Sequence, residues 1–335
     1  YGMANLEHDI PITPTSVFDI ASLSKQFTGM AIGMLIQEGK ISIEDDIRKY
    51  LPDFPEYGHT ITVDNLLHHT SGIRDWPTLL FAAGYQFDDV LSFDHILSVI
   101  YSQKELNFIP GDEHVYSNSN YNLLVQILEK VTGDSFDQWT QTNIFKPLGM
   151  SKTHFHINHQ RLVPGKVDSY VPGIAGTYMG ITNNLCALGS SSLFTTVEDL
   201  SKWLINLGTG KVGGQKLITL MTEKGQLNNG NSVNYGFGIG VSKYKGREVW
   251  RHTGGWAGFR TFMAYFPEEE FGVIQLSNLG SVSPDAKALE LADLYYSEKA
   301  EEKQPEKDKQ ESDFDPFSQL EIEPELFDDF VGAYE

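Results

Sequence analysis

Ser22-Leu23-Ser24-Lys25 sets a hydroxyl and an amine three positions apart. On a helix, residues i and i+3 share a face, so the Lys25 amine can reach the Ser22 hydroxyl. A lysine kept from water has a depressed pKa and serves as a base. The unpaired N–H groups and the dipole at a helix start favour developing negative charge. That combination suits attack by Ser22 on a carbonyl. By itself the pattern is common: Ser242-Lys243-Tyr244-Lys245 is a second match, in a polar stretch with no apolar helix after it, and is read as a decoy.

Tyr116-Ser117-Asn118 is the one Tyr-x-Asn in the chain. A tyrosine held near a lysine is expected to lose its proton more easily than in water and to shuttle it between nucleophile and leaving group. Asn118 both donates and accepts hydrogen bonds, which suits it to a substrate amide or to orienting Lys25. The same three residues also suit a helix-capping turn. His252-Thr253-Gly254-Gly255 lies between two strand candidates. Glycines on a strand edge, Gly254 among them, let a substrate backbone approach closely. The Gly255 N–H pairs naturally with that of Ser22 as a second oxyanion donor, and Thr253 and His252 can hold a carboxylate or carbonyl. Read alone, this segment is also a Gly-rich hairpin turn.

Elements must bring these segments together. From Ser22 to Gln37, apolar residues at Phe27, Met30, Ala31, Met34 and Leu35 follow the helical spacing, and Ile32 and Ile36 predict burial nearly all round. Gly39-Lys40 reads as its stop. Tyr121–Val131 and Val197–Leu207 are further helices. Short strands follow at Tyr235–Val241, Glu248–Arg251, Phe259–Phe266 and Phe271–Leu276, and Leu289–Tyr296 returns to helix. The order predicts an α/β (α+β) architecture, an antiparallel sheet flanked by helices beside a mostly helical lobe.

Taken together, Ser-x-x-Lys, Tyr-x-Asn and His-Thr-Gly in this order resemble the serine β-lactamase and penicillin-binding protein superfamily. The branch is that of class C β-lactamases, D-alanyl-D-alanine carboxypeptidases, D-amino-acid-specific peptidases and related esterases; a sister pattern combines Ser-x-x-Lys with Ser-Asp-Asn and Lys-Thr-Gly. Phe18-Asp19-Ile20-Ala21, Leu66 to Ile73, Pro147-Leu148-Gly149-Met150, Gly189 to Leu200 and Tyr235-Gly236-Phe237-Gly238 are similar too, so the resemblance covers about residues 1–296. It implies a two-lobed β-lactamase-like fold and an acyl-enzyme on Ser22, with Lys25 and Tyr116 sharing the base role. It further implies oxyanion donors at Ser22 and Gly255, substrate contacts at Asn118, His252, Thr253 and Gly254, and no metal or organic cofactor. The substrate is expected to be a small molecule or peptide: a D-amino-acid peptide, an ester or a β-lactam. His252 stands where β-lactamases of this branch carry lysine, a weaker anchor for a β-lactam carboxylate, which favours peptidase or esterase action. An extracytoplasmic location is expected from the same resemblance. Members of the branch begin with a helix and two strands before the stretch resembling Tyr1–Asn5. The chain is therefore expected to be a fragment, or a permuted or truncated form, with an open sheet edge.

Composition sets the outer bounds. The chain has 335 residues, 45 acidic against 25 basic, and a formal net charge of −20, which disfavours nucleic acid or an anionic membrane surface as partner. No apolar run approaches a membrane span. The single cysteine, Cys186, excludes a disulfide framework and a Cys-based metal cluster. Residues 297–316, dense in Glu, Lys, Asp and Gln, read as an acidic flexible linker, and residues 317–335 as the start of a truncated further module, which resembles the lipocalin-like module some members of the family append. The rival from another class is a metal-dependent hydrolase on His154, His156 and His159, with His68 and His69 read as structural residues behind the active site. A third reading is a sensor that acylates without turnover.

Overall fold

In the computed structural model, which describes residues 1–296, the late run of strands forms one antiparallel meander with helices on both faces. The helices that bear on the site are α1 (Lys25–Gln37), α2 (Trp76–Ala82), α3 (Asn118–Thr132), α4 (Val197–Thr209), α5 (Gln215–Thr222) and α6 (Pro284–Tyr296). The sheet is β1 (Gly240–Tyr244), β2 (Arg247–Trp256), β3 (Phe259–Phe266) and β4 (Phe271–Ser277), paired in that order.

Strand alternation divides the core. Phe262, Ala264 and Phe266 of β3 join Val249, Val273 and Ala288, Ala292 and Tyr296 of α6 in one apolar cluster. Phe259, Met263 and Tyr265 point the other way, into the main core with α1 and α4. At its centre lies α1, buried from Lys25 through Gly33 and again at Leu35. Two glycines permit that depth. A Cβ at Gly29 would lie 2.2 Å from the Phe237 carbonyl oxygen, and one at Gly33 2.4 Å from Leu217 Cδ1 on α5. The helix stops as expected, with Gly39 at φ +70°.

The antiparallel sheet and flanking helices match the fold class read from the sequence, with two differences among the strands. The expected strand Tyr235–Val241 begins only at Gly240. Residues 235–239 form a tight loop in which the Gly236 N–H donates to the Ile239 carbonyl, and Gly238, at φ +77°, presses on the Lys25 backbone. The strand expected at Glu248–Arg251 runs on to Trp256, so His252–Gly255 is part of a strand and not a hairpin turn. The outer edge of β4 pairs with no other strand among the described residues. No helix among the described residues is long and apolar enough to cross a membrane. The expected linker at 297–316 and module at 317–335 lie outside the described residues.

Candidate active site

The nucleophile candidate sits in a short 3₁₀ turn, Ala21–Ser24, that runs into α1. Ala21 is held at φ +48°, a region L-residues rarely occupy. Its neighbours over-determine it. The Ala21 N–H donates to Asp19 Oδ1 at 2.8 Å, the Thr261 hydroxyl donates to the Ile20 carbonyl at 2.9 Å, and the Ile20 N–H donates to the Leu193 carbonyl at 3.0 Å. Asp19 is wholly buried and also accepts from Asn183 Nδ2 at 2.6 Å. Burial pushes its carboxyl up to about 6.

Lys25 is fully buried, and its Nζ donates to three acceptors: Ser22 Oγ at 3.1 Å, Asn118 Oδ1 at 2.7 Å and the Ser190 carbonyl at 2.8 Å. Burial pulls its pKa from 10.5 to about 7, against an opposing pull from Asp75. The amine stands 4.7 Å from the Tyr116 ring centroid and 5.7 Å from that of Tyr121. Tyr116 departs from expectation in one respect. Burial raises its phenol above the ordinary value, and contact with Ser22 only partly offsets this, so proximity to Lys25 does not make it the more acidic group.

Asn118 opens α3, and Asp75 grips it. The Asn118 main-chain N–H donates to Asp75 Oδ1 at 2.6 Å and its Nδ2 to Oδ2 at 3.3 Å. Behind Tyr116, the His69 ring lies tilted against its ring with centroids 4.4 Å apart, and His69 Nδ1 accepts from the Ser117 N–H at 3.2 Å. Burial and the nearby Lys25 charge push His69 well below its ordinary pKa, so it is a neutral support.

On β2, the four residues His252, Thr253, Gly254 and Gly255 alternate. Thr253 and Gly255 are exposed, while His252 and Gly254 face inwards. The partner strand β1 stops at Gly240, opposite Arg251. From His252 onward that edge of β2 therefore has no β1 partner, and the 3₁₀ turn packs beside it. Two expectations change here. Gly254 offers no open edge to a substrate: a Cβ there would lie 2.3 Å from the Ile20 carbonyl oxygen and from Thr261 Oγ1, so its bareness lets the 3₁₀ turn press on the strand. His252 is not a free anchor. Its Nε2 pairs with the Tyr235 hydroxyl at 2.8 Å and its Nδ1 with the Thr253 carbonyl at 2.6 Å. Burial and the Lys25 charge hold its pKa down to about 4, so the ring is neutral at pH 7.

Of the residues named from sequence, Ser22, Lys25, Tyr116 and Asn118 meet around one point, with the His252–Gly255 strand alongside. Asp75, Ser190 and Tyr235 were missed. Asp75 carried a weak signal, since an acid before Trp76-Pro77 marks a helix start, but its carboxylate serves α3 rather than its own helix. Ser190 contributes only a carbonyl, which no residue type announces. The decoy Ser242 lies on β1, and its Lys245 donates to Asp293 at 2.7 Å. His154 and His156 pack against Phe194, and among the described residues no group of three His, Cys, Asp or Glu side chains is arranged to hold a metal.

The chain matches the family described as Beta-lactamase over residues 1–297. It is similar to penicillin-binding protein 4* of Bacillus subtilis (strain 168), with 31% identity over 294 residues, 83% of this chain and 64% of that protein. It is also similar to a D-aminopeptidase of Gluconobacter oxydans (strain 621H), with 28% identity over 293 residues, 87% of this chain and 55% of that one. The chain thus spans between about half and two-thirds of these relatives' length. Among solved structures it resembles an octameric penicillin-binding protein homologue from Pyrococcus abyssi, with a TM-score of 0.78 and 25% identity over 89% of this chain and 70% of that one.

Proposed function

Because the chain belongs to the beta-lactamase family, we propose that it is a serine hydrolase that cleaves an amide or ester bond through an acyl-enzyme. The observation that carries this reading is the buried Lys25 amine, 3.1 Å from Ser22 Oγ with a pKa near neutrality. Ser22 Oγ bonds to the substrate carbonyl carbon while its proton passes to the neutral Lys25 amine. The oxyanion is met by the N–H groups of Ser22 and Gly255. As the carbonyl re-forms, the leaving group departs with a proton relayed from Lys25 through the Tyr116 hydroxyl. Water then attacks the ester on Ser22, returning the enzyme. The raised pKa of Tyr116 beside the lowered one of Lys25 supports Lys25 as the group that accepts the Ser22 proton, while the two titrate as a coupled pair.

A D-amino-acid peptide or amide, or a small ester, fits better than a β-lactam. His252 is neutral with both ring nitrogens engaged, so it offers no cation to a β-lactam carboxylate. The relatives named penicillin-binding protein and D-aminopeptidase support the same class.

A fluorophosphonate probe is expected to modify Ser22, read by peptide mass. A panel of D-amino-acid amides, p-nitrophenyl esters and a chromogenic cephalosporin then ranks the substrates. Labelling elsewhere would sink the mechanism, and fast cephalosporin turnover would move the assignment to a class C-type β-lactamase. In the same assays kcat/KM is expected to rise with pH through about 7, since only the unprotonated Lys25 accepts the Ser22 proton. A rate flat from pH 5 to 9 would contradict the role given to Lys25.

A further inference from the structure

We propose that Asp75 is a positioning residue for acylation: it locks the Asn118 amide with its oxygen towards Lys25 and supplies a carboxylate charge to the network that holds the amine. The proposal rests on the serine-hydrolase reading above. It begins from a geometric fact. An asparagine amide can turn over about its last bond, exchanging oxygen for nitrogen. Here the exchange is blocked, because Asp75 Oδ2 takes the Asn118 Nδ2 donor at 3.3 Å while Oδ1 takes the main-chain N–H at 2.6 Å. Only one orientation leaves Asn118 Oδ1 facing Lys25 Nζ at 2.7 Å. The reverse would set N–H against an ammonium and an oxygen against a carboxylate.

The charge matters because little else in this pocket offsets burial of the amine. From the nucleophile turn, Ser22 presents a hydroxyl, and from the far loop Ser190 presents a carbonyl. From α3 and the loop before it, Tyr121 and Tyr116 present ring faces. His69 from its loop and His252 from β2 are both neutral, and each would oppose the ammonium if charged. Asp75, at the start of α2, is the group whose charge favours the protonated amine. Its side chain meets Asn118 and not the reacting atoms, so its effect on Ser22 is relayed.

The test follows the second-order rate of Ser22 modification by a fluorophosphonate from pH 5 to 10 in wild type, Asp75→Asn and Asp75→Glu, with thermal unfolding alongside. Asp75→Asn is expected to lower the plateau rate at least about tenfold and to move the acid limb down by about one pH unit, the lower end of what a nearby opposite charge contributes. Asp75→Glu keeps the charge but displaces the grip, so its rate falls while its acid limb stays where wild type has it. An Asp75→Asn protein with a lower rate and an unmoved limb, or with a wild-type rate, would overturn the assignment of Asp75 alone. If Asp75→Asn does not fold, Asp75→Glu decides: a wild-type rate, or a limb that moves, overturns it. Wild-type protein that never labels at Ser22 would instead overturn the hydrolase reading together with this one.

Discussion

Lys25→Met is expected to slow acylation of Ser22 by on the order of 10³–10⁴-fold, at the upper end of what a positioned general base contributes. The methionine fills similar volume and keeps the site dry, yet nothing else in the described pocket can take the Ser22 proton at pH 7. Tyr116 holds its own proton too firmly, His69 is buried and held well below its ordinary pKa, and His252 has both ring nitrogens turned to Tyr235 and Thr253. Stopped-flow labelling of Ser22 measures the loss, and a variant within tenfold of wild type would refute the base assignment. The same variant carries a stability signature. The folded-state pKa of Lys25, about 7, lies below its unfolded value of 10.5. Between these values the unfolded chain binds more protons, so wild-type stability from this group rises with pH and the cost of the buried charge is complete below about 7. The Tm of Lys25→Met relative to wild type should therefore be most favourable near pH 6 and decline towards pH 10.

Gly254→Ala is expected to damage fold and activity together. The added Cβ falls 2.3 Å from both the Ile20 carbonyl oxygen and Thr261 Oγ1, the two ends of one hydrogen bond. Relief requires the nucleophile turn to move off β2, because a backbone carbonyl cannot swing aside like a side-chain tip. Overpacking of this kind costs about 3 kcal/mol, read as a lower denaturant midpoint with an unchanged slope, and Ser22 is displaced with the turn. Gly255→Ala is the control. Its Cβ meets nothing nearer than Arg260 Nη1 at 3.7 Å, an ordinary contact, so its midpoint should stay near that of wild type. Equal loss in both variants would show that the glycine pair tolerates no side chain for reasons other than close approach.

These two cases mark what a sequence can disclose. Ser22 and Lys25 were legible because one helical turn decides their distance, and Phe259–Phe266 because a run of alternating faces needs no partner to be recognised. Asp75 was not, since its carboxylate acts on a helix 43 residues away. Nor was the state of His252, whose partner Tyr235 sits in a loop whose glycines mimic strand alternation. The acidity of Tyr116 was misjudged because burial, which the contact with Ser22 only partly offsets, belongs to the assembled protein and not to the motif.

The proposed reactive centre draws on residue 22 and on residue 255 more than two hundred positions later, with 75, 116, 118 and 190 between them. A nascent polypeptide therefore emerges with an ordinary serine and a fully hydrated, protonated lysine, and stays inert until the late strands have been made and docked. On the proposed mechanism, synthesis order itself would act as a safety catch, since an unfinished chain lacks both the buried amine and the late strand.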